Sequence, residues 1–245
     1  MKPIKSVVKT LLSCARIFVS REEPVNLYTH LRRVLQKLEI NCVLDVGAYH
    51  GEFGKRLRDI GYRGKIISFE PVAAHFNVLA QQAARDPQWA VHQIALSDRD
   101  GEAEINLYDG TTFASLLVPN EYGKKAFTEK MRPVGKERIQ TRRLEGLLDE
   151  CLKGLAGPRV LLKTDCQGFD LQVIRGAGSK LAQIDALQCE VAVSPIYAEM
   201  SNSLLTMVPE LLATGFRLTG AFPVSTDNDG LSLIELDCVL IRPRK

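Results

Sequence analysis

Two stretches of the chain gather residue types that can do chemistry. The first is VLDVGAYHGEFG, Val43 to Gly54, in which an apolar run ends in an acid and then meets glycines at 47, 51 and 54 before a helical pattern begins. A strand that opens into a glycine loop and a helix N-terminus is where open α/β sheets hold ligands, beyond the carboxyl ends of the strands. A dinucleotide fingerprint needs G-x-G-x-x-G, whose second glycine lets a pyrophosphate approach the backbone. Counted from Gly47 that position is Tyr49, which disfavours a dinucleotide. The spacing suits a smaller nucleoside ligand. Asp45 offers an acceptor to an ammonium or a bound water, and Gly47 lets the ligand pass close to the backbone. Glu70, closing the run ISFEP, can accept both hydroxyls of a ribose.

The second stretch pairs VLLKTD with LQCEVAV. Lys163 and Asp165 stand two apart, so they share one face of a strand. Glu190 sits in the middle of an apolar run. An unpaired buried charge is costly, so neighbouring strands are expected to bring Lys163 and Glu190 together as an ion pair, with Asp165 at the strand tip. Asp165, Asp170 and Glu190 offer oxygens to a hard cation. An acid at position 170 is already explained by the start of a helix, so no metal is expected.

The elements that position these residues alternate. Strands are expected at Cys42–Val46, Lys65–Phe69, Trp89–Ala95, Val160–Thr164, Leu187–Val193, Phe216–Phe222 and Leu233–Ile241. Helices are expected over Glu52–Ile60, Ala73–Ala84 and near 141–152, 170–183 and 202–213. Such alternation implies a mostly parallel sheet with helices on both faces. Residues 102–140 break it with a hairpin (EAEINLY, then ERIQ) around a polar loop. The turn-rich STDNDG leaves no room for a crossover helix, so the last strand should run antiparallel. Ahead of the sheet, residues 1–40 form a helical extension, with helical spacing over 4–19 and a second helix from about Val25 to Leu38. Residues 41–245 form the main domain.

Composition fits an ordinary folded chain, with 45% hydrophobic and 25% charged residues. Six scattered cysteines without a C-x-x-C pair argue against a zinc cage or disulfide framework and for a reduced, cytoplasmic setting. Residues 1–40 carry eight Lys and Arg against three Glu, so the net charge of +3 conceals a body of −2. A nucleic-acid binder would carry a basic stripe across its folded core, and none is seen. The basic first helix is expected to pack on the domain or a second subunit, with docking on an anionic membrane surface the lesser alternative.

Taken in order, LDVGAYHGEF, ISFEP, IALSDRDGEAEINLY and LLKTDCQGFDLQVIRGA resemble the FkbM-type S-adenosylmethionine-dependent methyltransferases over about residues 40–220. The resemblance implies a Rossmann-like class I methyltransferase fold, a seven-stranded and mostly parallel α/β sheet. It implies S-adenosylmethionine as cofactor. Asp45, Gly47, Ala48 and Gly51 would then border the methionine part and Glu70 the ribose, while Ala95, Leu96, Gln93 and Ser97 would edge the adenine. Tyr49-His50 departs from the family's more usual Asn and small residue.

Methyl transfer to oxygen asks a protein for proximity and for removal of the alcohol's proton. Asp165 is the first candidate for that work and Glu190 the second, with Lys163 in support; His50 and His92 read as packing residues. The acceptor pocket is assigned to the Thr111–Tyr122 loop and to SPIYAEM, Ser194 to Met200, including Tyr197. The family's chemistry makes a glycan or related small-molecule hydroxyl the expected acceptor. An N-methyltransferase of the same fold is the first alternative, weakened because no Asn/Asp-Pro-Pro-aromatic signature is present. A non-catalytic interaction domain and a nicotinamide oxidoreductase are the others.

Overall fold

The computed structural model describes residues 25–243. The expected helix over 4–19 lies outside them. The described chain opens with α1 (Leu27–Lys37), whose N-cap Asn26 accepts from the Thr29 backbone in a reciprocal capping box. Next come β1 (Cys42–Val46), α2 (Glu52–Asp59), β2 (Lys65–Phe69), α3 (Ala73–Ala83), β3 (Trp89–His92), β4 (Ala95–Leu96) and β5 (Gly101–Tyr108). A short helix α4 (Glu121–Ala126) leads to β6 (Pro133–Arg142), α5 (Leu144–Cys151), β7 (Val160–Thr164) and α6 (Asp170–Arg175). The chain closes with β8 (Ile184–Ala192), α7 (Leu204–Ala213), β9 (Arg217–Thr226) and β10 (Leu233–Ile241).

Among the described residues seven strands form one sheet in the order β3-β2-β1-β7-β8-β10-β9. β10 runs antiparallel to both its neighbours, as the short STDNDG turn requires. The order reverses between β1 and β7, which pair in parallel from Cys42↔Val160 to Val46↔Thr164. That seam is the switch point where a crevice opens at the carboxyl edge.

Strand alternation sorts the core into two layers. Leu44, Val46, Leu162 and Leu187 pack with Leu144 and Leu148 of α5 and Met207 and Leu211 of α7. Val43, Leu161, Ala186 and Val239 face the other way, onto Leu31 and Val34 of α1, Phe53 and Leu57 of α2 and Leu79 of α3. α1 is therefore part of the packed domain and not a detached extension. Its His30 Nε2 lies 3.0 Å from Thr219 Oγ1 of β9.

Two expected elements are divided. The run Trp89–Ala95 is two strands in two sheets: β3 pairs with β2, whereas Ala95–Leu96 pairs with β6 in a small sheet ordered β4-β6-β5. No glycine or proline stands between Trp89 and Leu96, so the sequence carries no turn signal at the change of sheet. The helix expected over 170–183 stops at Arg175 and resumes as a 3₁₀ turn from Gly178 to Gln183. Gly176 keeps helical dihedrals, but Gly178 turns to φ +50°, which an α-helix cannot continue through.

Gly54 shows what the third loop glycine is for. A Cβ there would lie 2.3 Å from Cζ2 of Trp89, so this glycine lets α2 settle on the indole. Gly54→Ala should cost about 1–3 kcal/mol through overpacking. Gly146→Ala, in α5 where nothing lies within 4 Å of the new methyl, should instead stabilise by about 0.5–1 kcal/mol through helix propensity. Urea midpoints of the two variants check the pair, and shifts of the same sign would contradict this packing account.

Candidate active site

A cavity of about 460 Å³ opens at the carboxyl edge of β1, β2 and β7, in the size range of small-ligand sites. Gly47 adopts φ +72°, and a Cβ on it would stand 1.9 Å from the Asp165 carbonyl. Only glycine lets the tips of β1 and β7 approach this closely, and the approach brings both halves of the site together.

A buried polar row crosses the sheet just beneath the cavity. Trp89 Nε1 donates to Ser68 Oγ at 3.0 Å, and Ser68 Oγ donates to Asp45 Oδ2 at 3.0 Å. Asp45 Oδ1 lies 3.2 Å from Lys163 Nζ, which also donates to the Gly47 carbonyl at 3.2 Å and stands 3.7 Å from Asp165 Oδ2. Burial alone would lower the Lys163 pKa, but Asp45 and Asp165 outweigh it and hold the ammonium above its ordinary value.

This geometry corrects the expected ion pair. Lys163 pairs with Asp45 on β1, not with Glu190. The strand register explains why: Lys163 sits beside Asp45 on one side and Gln188 on the other, leaving Glu190 two residues further along β8. Asp45 is fully buried beneath the cavity and forms none of its wall, so it holds Lys163 rather than a ligand.

Glu70 lies at the cavity wall, 5% exposed. Each carboxylate oxygen accepts one backbone N–H, Oε2 from Tyr49 at 2.8 Å and Oε1 from Val72 at 2.9 Å. Each keeps a lone pair free for one hydroxyl of a vicinal diol. Burial pushes the Glu70 carboxyl up to about 7, against the pull of those two N–H groups. Ala48, Ala95 and Leu96 line the cavity with Ile94 and Val72, an apolar slot beside Glu70. The residues present therefore fit an adenosyl group. Three positions expected beside it lie outside the wall. Gly51 faces Leu79 and Trp89. Gln93 is exposed, and Ser97 is buried with its hydroxyl on Asp98.

Asp165 ends β7 at the cavity, and its side chain is 44% exposed. Gln167 Nε2 donates to Asp165 Oδ1 at 3.5 Å, and Gln167 Oε1 accepts from Tyr197 at 2.9 Å. Gln167 holds φ +49°, steadied by Ser115 Oγ donating to its carbonyl at 2.7 Å. Glu190 also reaches the cavity but is 6% exposed. Burial, with Asp165 and Glu235 nearby, raises its carboxyl well above the usual range.

The loop expected to bound an acceptor lines the cavity through Thr111, Thr112, Ser115 and Leu116. The SPIYAEM segment does not reach the wall; Tyr197 is buried behind Gln167. His50 stacks on Tyr49 at 3.8 Å, and His92 packs on Phe69. The histidine at the wall is His75, whose Nδ1 is 3.8 Å from Glu70 Oε1. Tyr28, Gln188 and Asp237 also line the cavity, unanticipated from sequence. Asp237 carries the same signal as Glu190, an acid inside an apolar strand.

Comparison with known proteins decides the family. The methyltransferase FkbM domain matches residues 45–218. The chain belongs to the FkbM methyltransferase family. S-adenosylmethionine is accordingly its cofactor. Methyltransferase sdnD of Sordaria araneosa is 28% identical over 156 residues, which cover 55% of this chain and 59% of that protein. Among solved structures, a putative O-methyltransferase from Klebsiella pneumoniae shares 12% identity, with 99% and 91% of the two chains covered and a TM-score of 0.49. The O-methyltransferase from Bacillus cereus, solved in complex with SAH, shares 11% identity, with 96% and 89% covered and a TM-score of 0.47.

In this FkbM domain the buried acids set the pH response of folding. Burial raises Asp170 to about 7 and Asp237 to about 6, alongside Glu70. The folded chain then holds more protons than the unfolded chain between the ordinary carboxylate range and neutrality, so stability increases as pH falls through that window. Carboxylates held low by partners, such as Glu210 on Arg175, lose their contribution only at more acidic pH. Burial holds His30, His75 and His92 below the ordinary imidazole value, which opposes this trend below about pH 6.5, so the urea midpoint should be higher at about pH 6.5 than at about pH 8. Asp45→Asn should strand Lys163 and cost about 3–5 kcal/mol, whereas Glu190→Gln removes a disfavoured buried charge and should leave the midpoint at pH 8 equal or higher. Equal losses from both variants would contradict the Asp45–Lys163 pairing.

Proposed function

We propose that the protein methylates a hydroxyl of a saccharide or related small molecule, with Asp165 as the base that takes the acceptor's proton. The observation that carries this reading is the placement of Asp165. It is half-exposed at the β7 tip, in the same cavity as Gly47 and Glu70, and is gripped from two sides by Lys163 and Gln167.

When bound, S-adenosylmethionine supplies a methyl group on a sulfonium whose positive charge disappears on transfer. The leaving thioether needs no acid, so the protein's own work lies with the nucleophile. Glu70 receives the ribose hydroxyls, and the Ala95-Leu96 slot takes the base. Asp165 accepts a hydrogen bond from the acceptor hydroxyl and then its proton, giving the oxygen nucleophilic character as the new bond forms. Lys163 and Gln167 fix the carboxylate so that it need not reorganise. Glu190 is the poorer base, because its buried carboxyl is held toward the protonated form. Chemistry on a neutral alcohol needs a base more than chemistry on a free amine does, which favours oxygen over nitrogen as the acceptor atom. The scattered cysteines, five of them free thiols among the described residues, suit a reducing cytoplasmic setting. Among the described residues no helix is long and apolar enough to cross a membrane.

Asp165→Asn should lower the single-turnover rate by about 10²–10⁴ while affinity for S-adenosylhomocysteine changes little. A variant that turns over normally would remove Asp165 from the role of base. Cofactor affinity gives a second, independent check. Ribose hydroxyls prefer the ionised Glu70, so affinity for S-adenosylhomocysteine should rise between about pH 6 and pH 8, and Glu70→Gln should flatten that rise. Calorimetric titration at both pH values measures it; an unchanged slope in Glu70→Gln would reject the ribose assignment.

A further inference from the structure

The cavity continues past Asp165, away from Glu70. There its wall is made by Tyr28 of α1, Gln188 and Glu190 of β8, Val224 of β9 and Asp237 of β10. Tyr28, Val224 and Asp237 lie outside the 45–218 stretch that matches the family, whereas Gln188 and Glu190 lie inside it.

Its chemistry is one-sided. Asp165, Glu190 and Asp237 line it, and Glu235 is buried close enough to bear on the Glu190 carboxyl. Lys163 is the one lysine or arginine on the wall of the cavity among the described residues, and Asp45 and the Gly47 carbonyl already hold it. Gln188 is 3% exposed; its Nε2 donates to Asp237 Oδ1 at 3.1 Å, which fixes the amide and leaves Oε1 without a partner. Glu190 Oε1 is likewise buried and unpartnered. Buried acceptors without donors are costly, so the natural occupant brings its own N–H or O–H groups.

The excess of carboxylates decides which donor. A neutral polyol would satisfy the acceptors but leave the carboxylates of Asp165 and Asp237 uncompensated, whereas an ammonium answers both needs. Tyr28 adds a hydroxyl-bearing ring to the same wall, with the Arg56 guanidinium 5.9 Å from its centroid. Among the described residues no group of three His, Cys, Asp or Glu side chains is arranged to hold a metal ion. We propose that this half of the cavity binds an acceptor carrying a protonated amine near the hydroxyl that is methylated, the chemistry of an amino sugar. The proposal rests on the methyltransferase reading above and narrows its substrate class. It also accounts for the upward shift of Asp237 to about 6, since the charge that would relieve it arrives with the substrate.

The test uses D-glucosamine, D-glucose and N-acetyl-D-glucosamine as probes, titrated calorimetrically near neutral pH into the protein with and without saturating S-adenosylhomocysteine. Glucosamine should bind about tenfold tighter than either neutral sugar, the scale of one charge-assisted contact. Asp237→Asn and Glu190→Gln should each bring glucosamine down toward glucose while S-adenosylhomocysteine still binds, which also shows that the variants are folded. Equal binding of all three sugars to the unaltered protein, or a glucosamine preference that survives both variants, would overturn the amine assignment. Failure of S-adenosylhomocysteine to bind would instead overturn the methyltransferase reading, and the sugar comparison without it would still decide the amine question.

Discussion

The contact between Asp45 and Lys163 organises the rest of the site. It joins β1 to β7 where the strand order reverses, and both partners are almost completely withdrawn from water. A pair of this kind contributes little net stability, because desolvation offsets most of the attraction. What it provides is position. The ammonium is held by Asp45 and by the carbonyls of Val46 and Gly47, so its remaining reach falls on Asp165 at the strand tip. Trp89 and Ser68 extend the same row into β2 and β3, which ties the glycine loop, the α2 packing surface and the Asp165 carboxylate into one network. Gly47 belongs to that network too, since its missing side chain lets the two strand tips meet.

Beyond that row, the site departs from what stability alone would select. Glu70, Asp170 and Glu190 are buried, Asp237 is half-buried, and all four are shifted upward, so at neutral pH the fold carries acids it would hold more comfortably when protonated. Local conflict of this sort is expected at functional sites, where ligand groups complete what the protein leaves incomplete. The two halves divide that task. On the reading proposed above, Glu70 receives hydroxyls on the cofactor side and Gln188, Glu190 and Asp237 receive donors on the acceptor side, with Asp165 between them.

Much of the fold was legible because the central strands are short, wholly buried apolar runs with sharp ends. Cys42–Val46, Lys65–Phe69 and Val160–Thr164 begin and end where the pattern does. The antiparallel end followed from the length of a turn. What escaped were features set by lateral register and by distant chain segments. No local pattern shows that Lys163 faces Asp45 rather than Glu190; that depends on which strands are neighbours and how they slide. Gly51 and Gly54 look like ligand-loop glycines in sequence, yet Trp89, some 35 residues beyond Gly54, explains them. Tyr28 reaches the cavity from a helix that sequence separates from the domain. Asp237 and Glu235 could have been found, because the reasoning that singles out Glu190 applies equally to acids inside LIELDCVLI.

The most direct test of the central claim is a double-mutant cycle on Asp45 and Lys163, read by urea midpoint and by single-turnover rate together. Asp45→Asn and Lys163→Met should each destabilise the fold, and the double variant should recover much of the loss, because two uncharged side chains strand nothing. The rate should not recover with it, since Asp165 has lost its clamp while S-adenosylhomocysteine still binds. A double variant as unstable as the sum of its singles would show that the two residues are not coupled. One that regained both stability and full turnover would show that the pair does not position the catalytic carboxylate.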